Sequence, residues 1–191
     1  MACTALTKGR GVDCNRISGG VKYIYFWVLD ESATYAYEAV DKSQIDTINF
    51  NNANIYRYTM PIGVSSLTDT IVGSRDNGTV YYTPTVQVLF NKLTVQDQEE
   101  IKLLASTKVR MFVQLNQQYS NAHDMILACG MENGMELNAG TIDTGAAWGD
   151  KNGYTLTFDG MEKVPTAVLE DFTTTPFDNA GFTNLTSIVT S

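Results

Sequence analysis

Residues Lys151–Pro165 read KNGYTLTFDGMEKVP. Tyr154, Leu156 and Phe158 fall on one side of an extended chain, and Thr155, Thr157 and Asp159 on the other. A period of two with one apolar face predicts a half-buried antiparallel strand, and Asp159-Gly160 reads as the turn that ends it. The acids Asp159 and Glu162 invite a catalytic reading, because glycoside hydrolysis uses two carboxyl groups ~5–9 Å apart across a cleft. Nothing nearby marks a cleft, so turn and surface roles are assigned to both. This segment builds a wall.

Working outward, the same pattern recurs. Over residues 80–90, Val80, Tyr82, Val86, Val88 and Phe90 alternate with Tyr81, Thr83, Thr85 and Gln87. Val109, Met111, Val113 and Leu115 form the apolar face of a further strand. Val21–Leu29 is apolar on both faces, with Val21, Tyr23, Tyr25, Trp27 and Leu29 on one and Ile24, Phe26 and Val28 on the other. Such a strand is covered on two sides, or is completed by an assembly partner. Asn77-Gly78 and Asn133-Gly134 are two-residue hairpin signals, since both turn residues need positive φ. Three short strands separated by Asn, Asp and Ser clusters are expected within residues 30–76, a candidate long loop or hairpin region.

One segment has a different period. From about Val95 to Ala105 a helix is expected, with Thr94 as N-cap and Asp97, Glu99 and Glu100 in its early turns, where the helix dipole favours anions. Asp97, Ile101 and Leu104 repeat at i, i+4, i+7, so its apolar stripe should lie on a sheet. The predicted class is therefore mainly β: a single domain over 1–191, an antiparallel β-sandwich or barrel with one flanking helix at about 95–105. Polar stretches 1–20 and 170–191 are read as N-terminal and C-terminal arms.

Composition limits the chemistry. The 191 residues carry 21 acids against 13 bases, a formal charge of −8. Tight nucleic-acid binding needs clustered Lys and Arg and is not expected. Cys3, Cys14 and Cys129 are an odd set without a CxxC, so free thiols are expected, with no disulfide framework and no metal site. His123 is the single histidine. Its neighbour Asp124 points to the opposite face of any strand, so the two do not make an acid–base pair. The segment MACTALTKGRGVDCNR lacks a signal-peptide core, and no apolar run approaches the ~18 residues of a membrane span. The expectation is a protein made in a cytoplasm, without membrane, cofactor or metal, that is a building block rather than an enzyme.

NGYTLTFDGMEKVP, following a helix such as TVQDQEEIKLLAS that interrupts a β domain, resembles the tail tube protein family of tailed bacteriophages. The likeness lies in the order of elements over roughly residues 20–165. It implies a homo-oligomeric ring, expected to be a hexamer, that stacks into a tube beside other phage tail proteins. DNA would pass transiently through the lumen, and the protein would reside in the virion tail after assembly in the bacterial cytoplasm. If the lumen is acidic, as the net charge suggests, Asp46, Asp143 and Asp159 are the candidate lining residues. Two other readings stand beside this one: another virion structural protein (tail terminator, baseplate or head-decoration subunit), and a host- or carbohydrate-binding β module.

Overall fold

The computed structural model describes residue 10 and residues 18–190. Its elements run β1 (Val21–Val28), β2 (Thr34–Tyr37), β3 (Gln44–Thr59), β4 (Ser66–Ser74), β5 (Thr79–Asn91), α1 (Val95–Leu104), β6 (Val109–Gln118), β7 (Asp124–Cys129), β8 (Glu136–Asp143), β9 (Gly153–Asp159), β10 (Ala167–Leu169) and β11 (Phe182–Thr190). The protein is mainly β with one helix among the described residues, as the alternation predicted.

Two layers make the architecture. β1 pairs with β6, β6 with β7, β7 with β10, β10 with β3, and β3 returns to β1, so five strands close into a barrel. β2 and β11 add to the same sheet along β3. The second layer is an open sheet in the order β4-β5-β9-β8. Pairing is antiparallel except where β10 and β11 run parallel to β3.

The two apolar faces of β1 are explained by this closure. Tyr25 and Trp27 point into the barrel with Ile45, Ile48, Phe50, Ile55, Phe112, Ile126 and Phe177. Ile24 and Phe26 point outward, into a second core shared with Val86, Val88, Tyr154, Leu156 and Phe158 of the open sheet. Val21 joins this second core because a bulge between Val21 and Tyr23 shifts the register by one residue and reverses its face. Both faces are thus covered within one chain. Tyr154 of β9 is completely buried there, as its place on the apolar face of that strand requires.

β3 is one long strand where several short ones were expected. Asn51 (φ 52°) and Asn52 (φ 59°) take the left-handed conformation in its middle, which asparagine tolerates better than most residues. The chain turns a corner there without ending. Its first half serves β2 and β10, its second half β1. β11 follows the bend with its own left-handed Asn184 (φ 56°), and Asn184 Nδ2 donates to Asn49 Oδ1 at 2.9 Å. Residues 30–76 therefore do not form a free loop: they supply β2, β3 and β4.

Further expectations need correction. Residues 170–190 were read as an arm, but Phe177 is buried in the barrel and β11 pairs along β3. The polar look of this tail reflects an edge strand with one exposed side. Ser74 pairs with Thr79, leaving Arg75–Gly78 to reverse the chain. In that four-residue loop only Gly78 has positive φ, 63°. Asn133-Gly134 is not a hairpin, because β7 belongs to the barrel and β8 to the open sheet. Gly134 N–H instead bonds Gly130 at 3.2 Å, and Met135 bridges to Val109. The N-terminal arm lies almost wholly outside the described residues, as do Cys3 and Cys14.

Helix α1 carries the chain from the open sheet back to the barrel. Thr94 accepts the Asp97 N–H at 3.0 Å, and its hydroxyl donates to the Asp97 carboxylate at 2.6 Å. Ile101 and Leu104 pack on the shared core, while Leu103 stays exposed. The stripe that meets the core is thus Ile101 and Leu104.

Candidate assembly surface

The open sheet presents one face to the core and the other to solvent, with β4 and β8 as its edges. Register fixes which side chains share the outer face. One row across the sheet is Thr68, Thr85, Asp159 and Glu136; the next is Ser66, Gln87, Thr157 and Ala139; Leu89, Thr155 and Thr141 follow. Thr70 and Thr83 pair on the same face. This surface is dominated by hydroxyls, because threonine's branched Cβ suits a pleated strand while its oxygen stays hydrated. Among the described residues each edge strand pairs only with its inner neighbour, so each edge offers unpaired backbone donors and acceptors.

Asp143 and Asp159 lie at opposite ends of the β8–β9 pair, facing Gly153 and Glu136 respectively. A hydrogen bond from Lys151, 2.8 Å away, holds the Asp143 carboxyl below the usual value. The same ammonium reaches the Thr155 hydroxyl. Asp159 accepts from Asn138 Nδ2 at 2.7 Å. Asp46 belongs to the barrel sheet, as the extra residue of a bulge between the pairs Ala36–Thr47 and Tyr37–Ile45. The structure does not bring these three acids together.

Nor does it assemble a catalytic pair. Glu162 is not a surface acid: it is buried and accepts the N–H groups of Glu132 and Asn133 at 3.2 and 3.0 Å. Burial raises its pKa, opposed by those two bonds. It staples the 130–135 crossover, while Asp159 is engaged with Asn138. His123 stacks on Phe172 at 4.5 Å and meets Asp171 at 3.0 Å. Asp124 faces elsewhere, taking Lys22 at 2.6 Å and Gln114 at 2.8 Å. Gln114 also accepts the Tyr25 hydroxyl at 2.6 Å, which makes a polar chain inside the barrel. At its other reach Arg110, 4% exposed, donates to the Met131 carbonyl and lies 4.7 Å over Trp27. Cys129 is a buried free thiol, pushed up to about 12 by burial. Among the described residues no group of three His, Cys, Asp or Glu side chains is arranged to hold a metal, and no helix is long and apolar enough to cross a membrane.

Two features escaped the sequence reading. The barrel-facing side of β6 (Arg110, Phe112, Gln114) looks mixed in sequence and is buried only because the barrel closes. Trp148 stands fully exposed on the β8–β9 loop, where the Asp150 carboxylate fixes the turn by accepting from Ala146 and Ala147 at 2.9 and 2.7 Å. A tryptophan inside TGAAWGDKNG was the available signal. Comparison of the chain with protein-family models, with curated proteins and with solved structures finds no match.

Proposed function

We propose that this chain is a structural subunit of a bacteriophage tail tube, without catalytic activity or cofactor. Copies form a ring, expected to be hexameric, and rings stack with other tail proteins into a conduit through which DNA passes. The protein then belongs to the virion tail and is assembled in the host cytoplasm. The observation that carries the reading is the open sheet with two unpaired edges. An edge of one copy pairing with the opposite edge of the next propagates a continuous sheet around an axis, a head-to-tail contact that closes if the rotation per copy divides the circle. Its outer face would then line the channel, offering hydroxyls, with Asp143 and Asp159 at the margins. Such a face does not hold a polyanion, since attraction to phosphate grows with each basic contact.

Electron microscopy of the purified chain tests this. Rings or tubes are expected, and Thr68→Lys with Thr70→Lys on β4 should abolish them, because lysines on an edge strand oppose sheet addition. A wild-type chain that stays monomeric at high concentration overturns the proposal, as does unchanged assembly by the double variant. Rings that never stack would favour a tail terminator, baseplate or head-decoration subunit. Trp148 favours a second reading, a host- or carbohydrate-binding β module, since an exposed indole is a ready stacking platform. Glycan binding lost in Trp148→Ala by a chain that never forms rings would select it.

A further inference from the structure

The core-facing row of β5 outruns its cover. Val86 and Val88 lie in the shared core, and the same row continues through buried Pro84 and half-buried Tyr82 to exposed Val80. β9 pairs with β5 only from Thr85 onward, and a bridge from Glu162 to Tyr82 is the last pairing on that side. Past it, among the described residues, β4 and β5 pair with each other alone and project as a hairpin. Ile71, opposite Tyr82, and Val80, opposite Gly73, stand on the core-facing row of this hairpin, yet they are 69% and 62% exposed. Gly73 has no side chain to cover Val80. Arg75 follows at the tip.

The opposite end of β5 carries the counterpart. A cleft of about 610 Å³ between the barrel and the open sheet is lined by Tyr56, Tyr58, Phe90 and Val189, with Asp97 and Glu100 of α1. The rings of Tyr58 and Phe90 lie 5.3 Å apart. Burial, then the charges of Glu100 and Asp97, push the Tyr58 phenol up to about 12, so the carboxylates stand close to the aromatic wall. Among the described lining residues the single base, Arg57, places its guanidinium over the Tyr23 ring instead. Neither Glu100 nor Arg75 forms an ion pair with a described residue. At ~3.3 Å per residue, Val80 and Phe90 stand roughly 33 Å apart along β5, so a hairpin cannot enter the cleft of its own copy. A protrusion and a matching pocket at opposite ends of one molecule make a head-to-tail contact that propagates. We propose that the β4–β5 hairpin of each copy docks in the Tyr58–Phe90 cleft of the next, with Ile71 and Val80 against the aromatic wall and the Arg75 guanidinium beside Glu100. A guanidinium suits this lining because carboxylates and aromatic faces both attract it. The contact deepens the tube reading and rests on it: strands pair sideways to close a ring, whereas the hairpin points along them and joins one ring to the next.

Sedimentation velocity and electron microscopy of the full-length chain test this. Ile71→Ser with Val80→Ser should give rings that do not stack. Arg75→Glu should raise the protein concentration needed for stacking by at least ~10-fold. Adding Glu100→Arg to Arg75→Glu should restore stacking, because reversing both charges rebuilds the pair, a readout that a merely misfolded variant would not give. Tubes of wild-type length from the Ile71→Ser, Val80→Ser chain overturn the proposal and leave the tube reading standing. So does a failure of Glu100→Arg to rescue Arg75→Glu. A wild-type chain that makes no rings overturns the tube reading instead. Single-file chains of that protein, shortened by Arg75→Glu, would then still support the hairpin contact, and a monomer at every concentration overturns both.

Discussion

Phe177 decides whether the C-terminal segment belongs to the barrel. Its ring lies 5.1 Å from both Tyr25 and Phe112, 6.1 Å from Phe50 and 6.3 Å from Phe182, with edge-on contacts to the first three. Only 4% of the residue is exposed. Truncation to alanine removes this packing and leaves a cavity walled by aromatic rings that cannot collapse. Phe→Ala at buried sites costs about 3–5 kcal/mol, and the edge contacts place this site toward the upper end. With ~2–4 °C of Tm per kcal/mol at this chain length, the fall is on the order of 10 °C or more. The backbone supplies an internal control. Phe177 has φ 68°, a conformation that alanine adopts at a cost of about 1 kcal/mol or more relative to glycine. Phe177→Gly should therefore melt at or above Phe177→Ala, the reverse of the ordinary order at exposed or helical sites. Urea unfolding followed by tryptophan fluorescence measures both variants. A loss below about 1 kcal/mol for Phe177→Ala, the level of an ordinary substitution, would refute burial of this segment in the barrel.

Other outcomes follow from the same geometry. Removing residues 172–190 should unfold the barrel rather than merely impair assembly, which circular dichroism of the truncated chain checks. Thr94→Ala deletes the N-cap of α1 and should cost about 1 kcal/mol in urea unfolding. Burial pushes the Asp124 carboxyl up, but hydrogen bonds from Lys22, Gln118 and Gln114 outweigh it and hold the group below the ordinary aspartate value. A depressed folded pKa gives stability that is present above the unfolded value and lost as pH falls through the folded one. Tm should therefore drop more steeply below about pH 4 in the wild type than in Asp124→Asn. Arg110→Lys gives up the planar contact over Trp27 and the Nε bond to Met131, and should destabilise by about 1–3 kcal/mol in the same unfolding assay.

Local pattern made most of the strands and the helix legible. The alternation of Tyr154, Leu156 and Phe158 needs only its own strand to be read, and the Thr94 cap needs only four consecutive residues. Closure was not legible. Whether Arg110, Phe112 and Gln114 face solvent or a core depends on β3 meeting both β1 and β10, contacts between residues far apart in sequence. The Asn-rich middle of β3 was read as an interruption because asparagine ends strands more often than it bends them. Two left-handed residues in succession turn the strand without ending it, and the sequence carries no separate mark for that outcome. Asp46, Asp143 and Asp159 were chosen on charge, and charge does not say which face of which sheet a residue occupies. The buried role of Glu162 escaped because its partners are backbone amides thirty residues upstream.

Closure through β3 also sets a schedule for biosynthesis. β3 ends at Thr59, but its parallel neighbour β10 begins only at Ala167. At bacterial and eukaryotic elongation rates the intervening chain takes on the order of 10 s to synthesise. Throughout that interval Ile45, Ile48, Phe50 and Ile55 lack the wall that encloses them in the finished molecule. Contacts so distant in sequence also make for slow folding once the chain is complete. The nascent polypeptide thus carries a sticky, half-built cylinder for most of its time on the ribosome. Its yield in a cell should depend on chaperones that hold unfinished β-sheet until the last tenth of the chain has emerged.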